Sequence, residues 1–167
     1  ICMFNYCSQL VTLDVSNFAT SSVVDMSYIF YHCQVLATLD VSGFDTSSVT
    51  TFRNMFGQCF ALTSIDVSNF VTSAANNMAS MFDNCHSITS IDVSNFDTSN
   101  VTNMLAMFGS CYSLTSLDVT HFNTSHVDSM KSMFLQCKAL TSLDVSNFNI
   151  SSVTDMTTMF ARCDSLA

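Results

Sequence analysis

The hexapeptide Leu/Ile-Asp-Val-Ser/Thr-x-Phe begins at Leu13, Leu39, Ile65, Ile91, Leu117 and Leu143, a spacing of 26 residues without insertion or deletion. Seven cysteines keep the same spacing: Cys7, Cys33, Cys59, Cys85, Cys111, Cys137 and Cys163. A Met-Phe pair keeps it too, from Met3-Phe4 to Met159-Phe160, with Ile29 the one replacement of the Met. A strict period of this length confines a chain to a solenoid, in which each coil buries its apolar face against its neighbours. Residues 1–167 form a single domain of about six and a half coils.

With the first Leu/Ile as position 1, apolar residues at positions 1 and 3 alternate with Asp at 2 and Ser/Thr at 4. That is the period of a half-buried strand, and it predicts one short parallel strand per coil with the Asp facing outward. Position 13 holds Asp25, Thr51, Asn77, Asn103, Ser129 and Asp155. All are helix N-capping types, whose side-chain oxygens accept from first-turn amides. Apolar residues then follow at i, i+3, i+4 and i+7, as at Met156, Met159, Phe160 and Cys163, one face of a short helix. The predicted fold class is therefore an α/β repeat solenoid with one strand and one helix per coil. Neither end carries an atypical, polar capping repeat of the kind that closes solenoids. The expectation is a slice of a longer array, or copies stacked end to end into a fibre.

The net charge is −9, and only four residues are basic, Arg53, Lys131, Lys138 and Arg162. Nucleic acid is excluded as a partner, because its phosphates are bound by clustered Lys and Arg. No apolar run approaches the ~20 residues of a membrane span, so no membrane insertion is expected within this segment. Nearly every polar residue is copied from coil to coil, which suits structure or periodic recognition better than one active site. No catalytic residue and no cofactor are assigned, and the chain is read as a non-enzyme.

Four sets of residues are candidates. The row Asp14, Asp40, Asp66, Asp92, Asp118 and Asp144 brings carboxylates within ~5 Å of one another if the strands pair. It is either satisfied locally by Ser/Thr hydroxyls and backbone amides, or a partner-binding face centred on Asp40, Asp66, Asp92 and Asp118, or a calcium ladder. Calcium is the weakest of the three, since Ca²⁺ takes six to eight oxygens and each coil offers one carboxylate. The cysteine ladder from Cys7 to Cys163 is read as buried core thiols, because helices packed ~8–10 Å apart are beyond disulfide reach. Cys2 stands outside that ladder. A Thr column at Thr20, Thr46, Thr72, Thr98 and Thr124, interrupted by Ile150, admits an ice-binding reading as an outsider. Sequons at Asn100, Asn123 and Asn149 are possible N-glycosylation sites. The histidines His32, His86, His121 and His126 are read as surface variation.

The frame C-x-x-L-x-x-L-D-V-S-x-F, as in Cys137 to Phe148, followed by T-S-x-V-x-x-M-x-x-M-F, resembles the BspA-like leucine-rich-repeat surface proteins and their Mycoplasma-type lipoprotein repeat. The resemblance runs through the whole chain. Gly43 and His121 in place of Asn, Ala75 in place of Val, and Phe52 in place of Met depart from it without breaking the frame. It implies a leucine-rich-repeat solenoid, extracellular or on a cell surface, structural or adhesive. The expected partners are copies of itself, stacked through the uncapped ends, or a surface or matrix protein or glycan. The competing reading is a recognition module that binds an extended partner through the Asp/Ser face.

Overall fold

The structure, a computed structural model, describes residues 2–167. One apolar core runs through every coil, built from the repeat columns at positions 1, 3, 6, 11, 14, 17, 18, 21 and 24. The Phe residues at position 18 form an unbroken stack. From Phe4 through Phe30, Phe56, Phe82, Phe108 and Phe134 to Phe160, consecutive ring centroids lie 5.5–5.9 Å apart, with planes within 13° of parallel. Offset stacking at such separations adds to the burial of the rings.

The coils are joined along positions 12–20, and there the backbone departs from the expected helix. Amides at positions 14, 16, 18 and 20 donate to carbonyls at positions 13, 15, 17 and 19 of the following coil. In one coil these are Met78 to Asn103 O at 3.0 Å, Ser80 to Leu105 O at 2.7 Å, Phe82 to Met107 O at 3.0 Å and Asn84 to Gly109 O at 2.7 Å. Parallel bridges pair position 13 from Asp25 through Thr51, Asn77, Asn103 and Ser129 to Asp155. The alternate amides close tight turns inside the coil, as Met81 to Met78 O at 3.2 Å and Cys85 to Phe82 O at 3.1 Å. Among the described residues, thirteen non-glycine residues have φ between 50° and 64°, all of them at position 16 or 20. A left-handed residue every fourth position interrupts any right-handed helix. The expected helix is thus replaced by a run of turns whose amides point at the next coil.

Spacing explains the replacement. Coils hydrogen-bonded through their backbones stand ~4.8 Å apart, whereas packed helices need ~8–10 Å. The Phe stack and the ladder hold only at the smaller distance. The predicted capping chemistry survives the change: Oδ1 of Asp25, Asn77, Asn103 and Asp155 accepts the amide two residues on at 2.7–3.0 Å. These are Asx turns, opening a ladder instead of a helix.

The expected strand at positions 1–4 is also absent as a paired element. Its side-chain alternation holds, with Leu39 and Val41 buried and Asp40 exposed. Its backbone groups are taken locally: the position 4 amide goes to the Asp carboxylate, as Ser42 to Asp40 Oδ1 at 2.9 Å, and the position 3 carbonyl accepts the Phe amide, as Phe44 to Val41 O at 3.0 Å. Among the described residues the single bridge on this side pairs Ser90 with Ser116.

Around position 8 the coils are joined by side chains. Each of Thr20, Thr46, Thr72, Thr98 and Thr124 is buried and donates to the position 7 carbonyl of the next coil. Thr98 Oγ1 donates to Asn123 O at 3.0 Å and accepts the Asn123 amide at 2.8 Å. The Thr column is therefore an internal seam, and the ice-binding reading, which needs these hydroxyls in an exposed array, is overturned. Replacing Thr98 by Val, equal in shape but unable to bridge, is expected to cost about 1–3 kcal/mol, read as a lower urea midpoint with an unchanged m-value.

Candidate functional site

The Asp row lies where the alternation put it, fully on the surface. Each carboxylate is pinned by the residue two positions on. The amides of Ser16, Ser42, Ser68, Ser94, Thr120 and Ser146 donate to Oδ1 of Asp14, Asp40, Asp66, Asp92, Asp118 and Asp144 at 2.9–3.0 Å. The Ser68 and Thr120 hydroxyls add bonds of 2.6 and 2.7 Å. These side-chain and backbone bonds hold all six below the usual carboxylate range, although Asp14 and Asp66 push Asp40 the other way. Donors outweigh like-charge repulsion, and the row stays ionised. Among the described residues no hydrogen bond reaches Oδ2 of any of the six, so one oxygen per coil faces solvent.

Two shallow grooves run beside this row. One, of about 400 Å³, is lined at positions 26, 1 and 2 by Thr38, Leu39, Asp40, Ser64, Ile65 and Asp66, with Thr12 and Leu13. The other, of about 370 Å³, is lined by Ser90, Ile91, Asp92, Ser116, Leu117, Asp118 and Ser142. Asp40, Asp66, Asp92 and Asp118 thus fall on the walls of two grooves, with the hydroxyls of position 26 between them. Among the described residues no three His, Cys or Asp side chains converge as a metal site. The carboxylates line up one per coil and do not gather around a point, so the calcium ladder finds no cage.

The cysteine ladder falls inside, with Cys33, Cys59, Cys85, Cys111 and Cys137 buried, Cys7 and Cys163 half-buried, and Cys2 exposed. None is bridged. The expected reason was wrong, since the coils are not held apart by helices. From Cys33 to Cys163 each Sγ of the ladder instead donates to the position 18 carbonyl of the preceding coil, as Cys85 to Phe56 O and Cys111 to Phe82 O, both at 3.2 Å. Burial pushes the Cys33 thiol up to about 11 and those of Cys59 and Cys137 up to about 12. Burial likewise holds the wholly enclosed Cys85 and Cys111 well above the usual thiol range.

The sequons lie on exposed turns. Asn100 Nδ2 donates to Ser73 O at 2.9 Å, while Asn123 and Asn149 accept the amides of Ser125 and Ser151 at 3.1 and 3.0 Å. His121 and His126 make no common site: each ring nitrogen meets a carbonyl of the previous coil, Val93 O and Ser99 O, at 2.9 Å.

A second surface feature escaped the sequence reading. Ring contacts run from Tyr28 to Tyr31 (5.4 Å), Tyr6 (5.5 Å) and His32 (4.7 Å), then to Phe60 (6.3 Å), His86 (4.6 Å) and Tyr112 (4.3 Å). Lys138 Nζ covers the far face of Tyr112 at 4.6 Å, and Arg53 covers Tyr28 at 5.5 Å. The signal was available. Phe60, His86, Tyr112 and Lys138 are themselves 26 residues apart, so His86 is part of a column and not isolated variation. Gln58 ties the stripe together, donating to Tyr31 Oη at 2.8 Å and meeting His32 Nδ1 at 2.6 Å. Beneath it lies Asp83, whose Oδ2 accepts from Asn84 Nδ2 at 2.9 Å and whose Oδ1 would stand 2.7 Å from a Cβ at Gly109. Burial raises the Asp83 carboxyl to about 6, against the smaller opposing pull of Asn84.

Residues 2–91 and 85–167 match the family described as "Mycoplasma protein of unknown function, DUF285". Among solved structures, the chain is similar to a leucine-rich repeat protein from Bacteroides ovatus (22% identity, TM-score 0.54), covering 98% of this chain and 38% of that one. It is also similar to the T. pallidum leucine-rich repeat protein (19% identity, TM-score 0.52), covering 87% of this chain and 72% of that one. The chain therefore spans well under half the length of the Bacteroides protein. Both likenesses place the fold among leucine-rich repeats. No curated protein matches.

Two outcomes follow from the buried groups. A thiol reagent such as DTNB at pH 8 should modify Cys2 at once and reach Cys33, Cys59, Cys85, Cys111 and Cys137 only on unfolding. For Asp83, whose pKa is raised on folding, stability is full below pH 4 and falls as pH rises through about 6. Asp83→Asn should accordingly match the parent at pH 4 and exceed it by about 2–3 kcal/mol at pH 7.5, measured by urea unfolding at both.

Proposed function

The chain belongs to the DUF285 family, and on that footing we propose that it is a non-enzymatic segment of a surface-presented repeat protein that holds an extended cationic polypeptide along its Asp/Ser groove face. The observation that carries this reading is the state of the Asp row. Six carboxylates recur one per coil, pinned through Oδ1, held ionised, and open to solvent through Oδ2. Such a row is organised before any partner arrives, so little side-chain freedom is lost on binding. Charge complementarity of this kind chiefly sets on-rate and register. The groove floors at Leu39, Ile65, Ile91 and Leu117 add apolar contact between the charged walls.

An extracellular or cell-surface setting agrees with the repeat resemblance. It also agrees with a surface covered by Ser, Thr and Asn, and among the described residues no helix is long and apolar enough to cross a membrane. The same features support an adhesive or structural role, since a solenoid presents one face repeated along its whole length.

The test uses a fluorescent deca-lysine peptide as probe. The parent chain should bind it, and Asp66→Asn with Asp92→Asn should weaken binding at least tenfold with the fold retained. Asp45→Asn with Asp97→Asn removes equal charge from an exposed column away from the grooves and should leave affinity within about twofold. Equal losses from both pairs, or no binding by the parent, would sink the proposal.

A further inference from the structure

The four basic residues are not scattered around the coil. Arg53 and Lys131 occupy position 15, Arg162 position 20 and Lys138 position 22. The aromatic stripe occupies positions 16–22 of the same segment, six to twelve residues ahead of the Asp row at position 2 of the next coil. Positions 15–22 carry these four cations against two carboxylates, Asp83 and Asp164, whereas position 2 carries six carboxylates, so the two faces of one solenoid differ in sign.

The stripe presents ring edges. Phe60 and His86 lie within 3° of parallel at 4.6 Å, and His86 and Tyr112 within 12° at 4.3 Å, so each covers its neighbour's face. What remains half-exposed is the edge, which carries the positive end of the ring quadrupole. A sugar ring, which lies flat on an aromatic face, finds none free between Phe60 and Tyr112, and Lys138 covers the outer face of Tyr112. Edges flanked by Arg53 and Lys138 suit carboxylates set in a row. Tyr, Phe and Arg are also the residues enriched in protein interfaces, against the Ser and Asp that dominate the rest of this surface.

A partner for such a stripe must repeat at the coil spacing, and one surface of the molecule does so by construction, the Asp row of another copy. We infer that copies of this chain associate side by side, the aromatic and basic edge of one solenoid lying along the Asp/Ser groove face of the next. This rests on the reading of the groove face given above and names the basic surface that it takes. The two surfaces are different, so the contact is heterologous and propagates into an open array instead of closing on a pair. Each copy carries −9 overall, but with a Debye length of ~8 Å at physiological salt the touching surfaces are felt more than the net charges.

Sedimentation velocity on the chain in 150 mM NaCl should show mass rising with concentration above the 18.3 kDa monomer, and a return to monomer in 1 M NaCl. Arg53→Glu with Lys138→Glu should abolish assembly while leaving deca-lysine affinity unchanged. Asp66→Lys with Asp92→Lys should abolish both. Mixing the two charge-reversed proteins should restore assembly, since the acidic edge of one then meets the basic row of the other. A monomer at every concentration, or assembly that survives both pairs of reversals, would overturn the inference. The peptide result decides the groove reading separately.

Discussion

The amides at positions 14, 16, 18 and 20 all point the same way along the solenoid, and the rest of the structure follows from that. Four bonds per coil hold the neighbouring coil at backbone distance, as from Met78, Ser80, Phe82 and Asn84. At that distance helices cannot lie side by side, and the Phe column closes into a continuous stack. The arrangement strains the backbone, because side-chain-bearing residues as bulky as Tyr28 and as branched as Thr158 adopt positive φ. Packing on both sides of every inner coil offsets that strain. The same closeness explains two polar columns within the core. Wherever the ladder stops, a side chain continues it: Thr at position 8 bridges to the next coil, and Cys at position 21 donates to the previous one.

The sequence was informative about side chains and much less so about amides. Core columns, the outward Asp row and the turn-opening role of position 13 were all legible, since burial leaves a period in the apolar residues. The helix was not, because apolar residues at i, i+3, i+4 and i+7 satisfy a chain of tight turns as well as a helix. The deciding fact is the direction of the odd and even amides, on which residue type is silent: φ is positive at Ala106, Ser110 and Gln136 with no glycine to mark it. The strand failed similarly, for Asp at position 2 takes the amide that a ladder would have used. A column of Thr was ambiguous by nature. Repetition says that a hydroxyl matters once per coil, but not whether water or backbone receives it.

Departures from the repeat were undervalued. In a solenoid the repeated residues build the scaffold, and a difference between coils is where one part of the surface becomes unlike another. Gly57 and Gly109 at position 19 illustrate this: Tyr31 leans over the first and Asp83 over the second, each within 3.1 Å of where a Cβ would stand. Small residues in two coils make room for large ones in the coils before them. Read along columns instead of along the chain, the same positions bring Tyr, His, Phe and Lys together.

Repetition and variation then divide the work of the surface. A row copied in every coil cannot define a position along the axis, since shifting a partner by one coil restores the same contacts. The Asp row therefore supplies attraction and direction but no register. The aromatic edge is not periodic in composition: Arg53, His32, Phe60, His86, Tyr112 and Lys138 present a different group at each step. Pairing a uniform row with a varied edge lets the first set how strongly two solenoids attract along their length. The cations of the second, Arg53 and Lys138, stand three coils apart and meet that row alike at every one-coil shift, so the pairing can stagger and stay open.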